Sequence, residues 1–132
     1  MENKTIFDLI IEGDVPSYKI YEDDKVLVIL DINPINKGHS LVIPKTKSIN
    51  FTDLDEDTYA HATKIVKKVA DKLMQVYSPP KVGVIIEGFE VPHTHIHVFP
   101  AYYPEDFRKK PEDKLKLNEQ EMTNILESLR IS

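Results

Sequence analysis

The chain contains no cysteine, and this absence removes disulfide frameworks, thiolate metal sites and thiol nucleophiles. Any metal would need imidazole and carboxylate ligands. An excess of basic charge is missing as well. Seventeen Lys and Arg stand against 22 Asp and Glu, for a formal net charge of -5, which leaves no electrostatic footprint for a nucleic acid polymer or an anionic membrane surface. Local donors can still hold a small anion. Long apolar runs are lacking too: the strongest stretches, Val26 to Leu30 and Val82 to Ile86, are strand-sized and far short of a membrane span. The opening residues Met1-Glu2-Asn3-Lys4-Thr5-Ile6 bring an acidic group before any apolar run, unlike a secretory leader, so the expectation is a cytoplasmic protein.

What is present fits one globular domain over residues 1–132, with 41% hydrophobic and 30% charged residues. A chain of this size buries roughly two-thirds of the surface its unfolded form exposes. Ile6 to Ile11 reads as one or two helical turns ended by Gly13-Asp14-Val15-Pro16. Tyr18 to Tyr21 and Lys25 to Ile32 read as two strands around the acidic turn Glu22-Asp23-Asp24, and the second has almost no polar face, so both of its sides should be covered. Asn33 to Gly38 is a loop, and His39 to Pro44 returns as a strand, which brings Asp31 and His39 towards one region.

From Asp53 to Tyr77 the period becomes helical, with Tyr59, Ala62, Val66, Val69, Leu73 and Val76 as the apolar stripe and Asp53 or Asp55 as the cap. The lysines Lys64, Lys67, Lys68 and Lys72 read as a solvated outer face. Ser78-Pro79-Pro80 ends the helix. Residues 82–100 then hold the densest chemistry, residues 101–132 read as a variable C-terminal extension, and Asn118 with Glu121 opens a last helix whose apolar side is Met122, Ile125, Leu126 and Leu129.

Four of the five histidines, His39, His93, His95 and His97, lie beside strands that can be neighbours. The fifth, His61, falls on the long helix and is expected to be half-buried or solvated. In an extended chain His93, His95 and His97 share one face at intervals of roughly 7 Å. A neutral imidazole can attack phosphorus, and a protonated one can donate to phosphate oxygens. The row alone admits three readings: a three-histidine metal site with an open water position, metal-free catalysis, or surface and structural histidines. Against the metal reading, the sequence shows no obvious carboxylate second shell, Asp31 and Glu90 being the candidates.

Several segments taken in order, Ile6-Phe7, Val15-Pro16-Ser17, Tyr21 to Asp24, Leu30-Asp31-Ile32-Asn33-Pro34, Lys37-Gly38-His39, Leu41 to Pro44 and above all His93-Thr94-His95-Ile96-His97-Val98-Phe99, resemble the histidine triad (HIT) family of nucleotide hydrolases and transferases. The resemblance implies an α+β fold: a mainly antiparallel sheet of about five strands with one long central helix and a C-terminal helix, often paired as a homodimer. It places a base pocket on Ile6, Phe7 and Ile10 with the apolar side of the first hairpin. Asp31 would accept from the ribose hydroxyls beside Ile32, His39 would support the triad from outside, His95 would be the nucleophile and His97 would contact phosphate. No cofactor or metal is implied in that scheme.

The likeness breaks upstream of the triad. Where many members have an Asn, a Gly-Gln pair and a Ser or Thr, this chain reads Glu87-Gly88-Phe89-Glu90-Val91-Pro92. Phe89 takes the glutamine's place in the nucleotide site, and Glu90 replaces the hydroxyl residue that helps the leaving group depart. The zinc-binding cysteines that some members carry near the N-terminus are also absent, with Thr5 and Asp8 flanking Ile6-Phe7, so no structural zinc is implied. The function implied is hydrolysis of a purine nucleotide or nucleoside phosphoramidate, adenylyl before guanylyl. The alternatives are a dinucleoside polyphosphate hydrolase and a nucleotide-binding regulator with weak activity.

Overall fold

Five consecutive apolar residues without a polar face can be satisfied only between two covered layers, and Val26–Leu30 occupies such a place. The computed structural model describes residues 3–131. In it the strands β1 (Lys19–Glu22), β2 (Val26–Leu30), β3 (Ser40–Pro44), β4 (Lys81–Ile86) and β5 (Ile96–Ala101) form one sheet of order β1-β2-β3-β5-β4. Every pairing is antiparallel. Three helices, α1 (Ile6–Glu12), α2 (Glu56–Tyr77) and α3 (Glu119–Leu129), complete the α+β fold.

The two-residue strand period divides the core. Val26, Val28 and Leu30 of β2, Val42 of β3 and Ile96 and Val98 of β5 point to the side covered by α2 and α3. Leu27 and Ile29, with Leu41 and Ile43 of β3, point the other way against Phe7 and Ile10 of α1. His97 shares the parity of this second side. The large helices therefore seal one face, whereas the short α1 covers the other only in part and leaves a cleft beside β5.

Local signals fix the helix ends. Asp55 accepts from the Thr58 N–H at the start of α2, and reciprocal capping boxes open α1 (Thr5 with Asp8) and α3 (Asn118 with Glu121), each satisfying N–H groups that lack intrahelical partners. The buried line on α2 is Thr58, Ala62, Ile65, Val69 and Leu73, which corrects the stripe expected from sequence. Tyr59 and Val76 are exposed, and Val66 is only half-buried. The helix has rolled so that Ile65 faces the sheet, while Tyr59 stacks on Phe51 with centroids 6.0 Å apart. Each of Ile65, Val69 and Leu73 contributes about 1.5–3 kcal/mol by burial, and Leu73→Ala would cost about 2–5 kcal/mol.

His61 is tied rather than solvated: its Nε2 lies 2.6 Å from Asp23 Oδ2, which also accepts from Tyr21 Oη at 2.7 Å. Residues 101–132 do more than extend the chain. Met122, Ile125, Leu126 and Leu129 enter the same core as α2, and the Ile131 N–H donates to the Ile20 carbonyl at 3.0 Å.

Candidate functional site

The loop from β2 to β3 and the start of β5 assemble the polar end of the cleft. The Asp31 N–H donates to the His39 carbonyl at 2.9 Å, and the His39 N–H to that of Asn36 at 3.1 Å, so the loop closes on itself and carries both side chains to one place. Gly38 is required in this turn. Its φ is 96°, and a Cβ there would meet Tyr77 Cε2 at 2.7 Å and Leu73 Cδ2 at 2.9 Å.

The expected row of three histidines holds for two. His95 and His97 have ring centroids 4.9 Å apart, but β5 begins only at Ile96, and the preceding chain turns away from an extended course. Thr94 is the pin: its N–H donates to the Ser48 carbonyl at 2.8 Å, and its Oγ1 accepts from Ser48 Oγ at 2.7 Å. His93 is thereby driven behind the cleft wall. It is fully buried, with Nε2 2.8 Å from the Pro44 carbonyl and Nδ1 3.7 Å from Asp8 Oδ1.

Fixed neighbours assign the ring protons, because a carbonyl can only accept and an amide N–H can only donate. His95 Nδ1 lies 2.7 Å from the His93 carbonyl, so this nitrogen carries the hydrogen, and in the neutral ring the lone pair is on Nε2. His39 Nδ1 accepts from the Ile35 N–H at 2.9 Å, so its hydrogen sits on Nε2, 2.9 Å from His97 Nδ1. His97 in turn holds its hydrogen on Nε2. The arrangement juxtaposes the acceptor nitrogen of a neutral His95 with a donor nitrogen on His97.

Burial reinforces this state. It pushes His39 well below the usual imidazole range, with His97, Lys114 and His95 adding to the effect. His97 is pushed down to about 4, first by burial and then by His95. Asp31 moves the other way, raised by burial against the opposing pull of the Asn33 N–H, Lys114 and His95. Its Oδ1 accepts from the Asn33 N–H at 2.8 Å, and its Oδ2 lies 3.5 Å from His39 Nε2.

The cleft has a volume of about 850 Å³, within the range of small-molecule sites. Ile6, Phe7, Ile10, Ile29 and Leu41 form its apolar end, and Asp31, His95 and His97 its polar end. The Phe7 ring meets His95 with centroids 4.7 Å apart. Ile32 and Glu90 stand exposed at the rim. Phe89 is 91% exposed and is not one of the lining residues, a departure from its expected place in the nucleotide site. The 87–90 segment turns at Gly88, φ 73°, and leaves that ring outside.

Other lining groups were not legible as site residues: Glu87 beside the triad, and Phe107, Lys109, Lys114 and Glu119 from the C-terminal segment. Glu87 has a visible signal, since it opens the 87–92 segment at which the expected family pattern breaks. The C-terminal lysines sit in a charged stretch without a motif spacing.

Among the described residues, two groups have donor atoms close enough to hold a metal ion, Asp31 with His39 and His97, and Glu87 with His95 and His97. The second would use the one free nitrogen of His95, so metal binding there and attack by His95 exclude each other. Near the N-terminus, the Lys47 ammonium lies 3.3 Å from Asp8 Oδ2, so a cation already occupies the surroundings of Thr5 and Asp8.

Comparison with known proteins gives concordant results. The HIT domain matches residues 12–103. An uncharacterized HIT-like protein of Borreliella burgdorferi is 39% identical over 134 residues, covering 96% of this chain and 95% of that one. A solved HIT-like protein involved in cell-cycle regulation from Bartonella henselae superposes with a TM-score of 0.82 at 28% identity, covering 98% of this chain and 97% of the other. A hypothetical histidine triad nucleotide-binding protein from Sulfolobus tokodaii gives a TM-score of 0.81 at 28% identity, with coverage of 95% and 89%.

Proposed function

The chain belongs to the HIT domain family, and from that premise we propose that it hydrolyses purine nucleoside phosphoramidates, adenylyl substrates foremost, through a nucleotidyl-His95 intermediate. The observation that carries this reading is the state of His95. Its Nδ1–H is held by the His93 carbonyl at 2.7 Å, and its bare Nε2 belongs to a ring that lines a cleft with an apolar end for a base and Asp31 for a ribose. The nucleotide-binding name of the Sulfolobus relative agrees with the same use of the cleft.

In the proposed first step the lone pair of neutral His95 Nε2 forms a bond to the α-phosphorus as the phosphorus–nitrogen bond to the leaving amine breaks. The departing nitrogen takes up a proton from a donor at the cleft, Glu90 or His97 Nε2, which solvent then reprotonates. His97 Nε2–H faces the charge that develops on the phosphoryl oxygens, where fixed donors are most effective. In the second step water attacks the phosphorus and gives up a proton to solvent, the bond to His95 breaks with its electron pair returning to Nε2, and a nucleoside monophosphate leaves. Glu87 and Glu90 at the rim oppose the highly charged leaving group of a dinucleoside polyphosphate, which favours an amine.

We further propose a cytosolic homodimer. The sheet ends at β4, whose open edge and exposed Val84 offer a surface for a second copy. Light scattering would report the mass.

The deciding experiment is turnover of an adenylyl phosphoramidate by wild type and His95→Ala, with AMP binding measured in parallel. The expected result is loss of turnover with AMP binding retained, because Asp31 and the apolar walls are untouched. Full activity in the variant would overturn the mechanism. Mass spectrometry of wild type quenched during a single turnover should find the nucleotidyl adduct on His95.

A further inference from the structure

A nucleotide brings negative charge into a cleft that is itself acidic. Among the described residues, Asp31, Glu87, Glu90 and Glu119 line it, against two ammonium groups, Lys109 and Lys114. Both lysines lie beyond residue 103, where the HIT match ends, on a strap of two short 3-10 turns, Pro104–Arg108 and Pro111–Asp113. The strap is anchored across the β2–β3 loop. Asn36 Nδ2 donates to the Pro100 carbonyl at 2.8 Å and to Asp106 Oδ2 at 3.1 Å, and the Leu115 N–H donates to the Pro34 carbonyl at 2.9 Å.

The two lysines have different occupations. Lys109 Nζ is committed to this anchoring, 2.9 Å from the Ile35 carbonyl and 3.7 Å from Asp106 Oδ1. Lys114 is half-buried on the cleft wall, and among the described residues its ammonium forms neither an ion pair nor a hydrogen bond. The Leu115 N–H bond to Pro34 fixes the neighbouring backbone, so the Lys114 side chain starts from an anchored point on the cleft wall. Its charge is felt by Asp31, His39 and His97, the groups that define the polar end.

We propose that Lys114 is a specificity-determining residue that pairs with the phosphate of a bound nucleotide, a cation supplied to the HIT domain by the C-terminal strap. The assignment rests on the nucleotide reading of the cleft. Residues 87–90 offer the phosphate two carboxylates and no cation, and His97, pushed down to about 4, enters as a neutral donor at pH 7. Lys114 therefore provides the positive charge that lets a phosphate dianion displace its water in an acidic cleft. An uncharged nucleoside has no use for it.

Calorimetry with AMP and adenosine on wild type, Lys114→Gln, Lys114→Met and Lys114→Arg, each at low and moderate salt, tests the assignment. AMP should bind about tenfold or more weakly to the Gln and Met variants, the loss expected for a charge-assisted bond, while adenosine is unchanged. Lys114→Arg should keep most of the affinity, and the salt sensitivity of AMP binding should be smaller without the ammonium. Equal weakening of AMP and adenosine would mean that Lys114 only packs the strap, and unchanged AMP affinity would mean that the phosphate lies elsewhere; either overturns the proposal. Wild type that binds AMP while Lys114→Gln binds it equally well leaves the nucleotide reading intact, whereas wild type that binds neither ligand refutes both.

Discussion

His39 Nε2 lies 2.9 Å from His97 Nδ1, and the hydrogen between the two rings belongs to His39 because its other nitrogen already accepts the Ile35 N–H. A backbone amide four residues upstream thus dictates the tautomer of His97, which does line the cleft. His39 does not touch the cleft itself. Its ring reaches the cleft only through His97, and Gly38 beside it lets the chain make the turn that delivers the ring.

His39→Leu should therefore lower kcat by about 10²-fold, the scale of a misplaced reacting group, with little change in AMP affinity. His39→Gln, whose amide nitrogen can donate to His97 Nδ1, should recover part of the loss. Nitrogen-15 NMR should place the wild-type His97 hydrogen on Nε2 and show a mixture of tautomers in the Leu variant. A kcat unaffected by His39→Leu would remove the relay from the mechanism.

The same burial makes the fold sensitive to acid. His39 and His97 have folded pKa values below the unfolded value near 6.5, so below that pH the unfolded chain binds more protons and stability falls. For His97 the loss accumulates from about pH 6.5 down to about 4, where the folded protein is protonated as well; burial of His39 acts in the same direction. Each contributes up to about 1.4 kcal/mol per pH unit within its window. Urea unfolding at pH 7, 6 and 5 should show a steady decline, and the His39→Gln protein a shallower one. A flat profile over this interval would mean that these rings are not held neutral.

The fold and half of the site could be read from local chemistry. The uninterrupted apolar run of β2, the caps at Asp55 and Asn118 and the positions of Asp31, His39, His95 and His97 are all properties of short segments, and those survive folding. His93 was misplaced because a two-residue period applies only to extended chain, whereas the Ser48–Thr94 bonds that bend it come from 46 residues away. Phe89 was misplaced for a related reason, since the turn at Gly88 decides which way the ring leaves. Lys114 could not be found at all. Its place depends on the strap docking at Pro34 and Ile35, and nothing in residues 101–132 announces that contact.

Asp31 leads to a prediction about the sugar. One oxygen is engaged by the Asn33 N–H, and burial raises the carboxyl, so a ribose diol that donates to it would restore hydrogen bonding to a poorly solvated group. Calorimetry should find AMP tighter than 2′-deoxy-AMP by about tenfold, the worth of a hydrogen bond to a charged acceptor, and ribose 5-phosphate weaker than both for lack of the apolar contacts. Asp31→Asn should narrow the gap between AMP and its deoxy form. Equal binding of all three ligands would contradict both the ribose and the base contacts.

Glu90 tests the chemistry where the chain departs from its relatives. It stands exposed on the cleft rim, and its charge reaches Asp31, so it lies on the polar side without being buried among the histidines. An ionised carboxylate there repels a phosphate, but a protonated one can donate to a departing amine, and only poor leaving groups need that proton in the transition state. Matched adenylyl substrates separate the two roles: one with an alkylamine leaving group and one with a nitrophenolate, each followed as a pH-rate profile in wild type and Glu90→Gln. If Glu90 is the proton donor, the variant should lose about 10²-fold in kcat on the alkylamine, the usual scale of general acid catalysis, and should keep its rate on the nitrophenolate. If Glu90 acts only by repulsion, both substrates should gain modestly in kcat/KM when the charge is removed. An identical small change on both, with no altered pH limb, would place Glu90 outside the reaction and leave proton delivery to His97 Nε2.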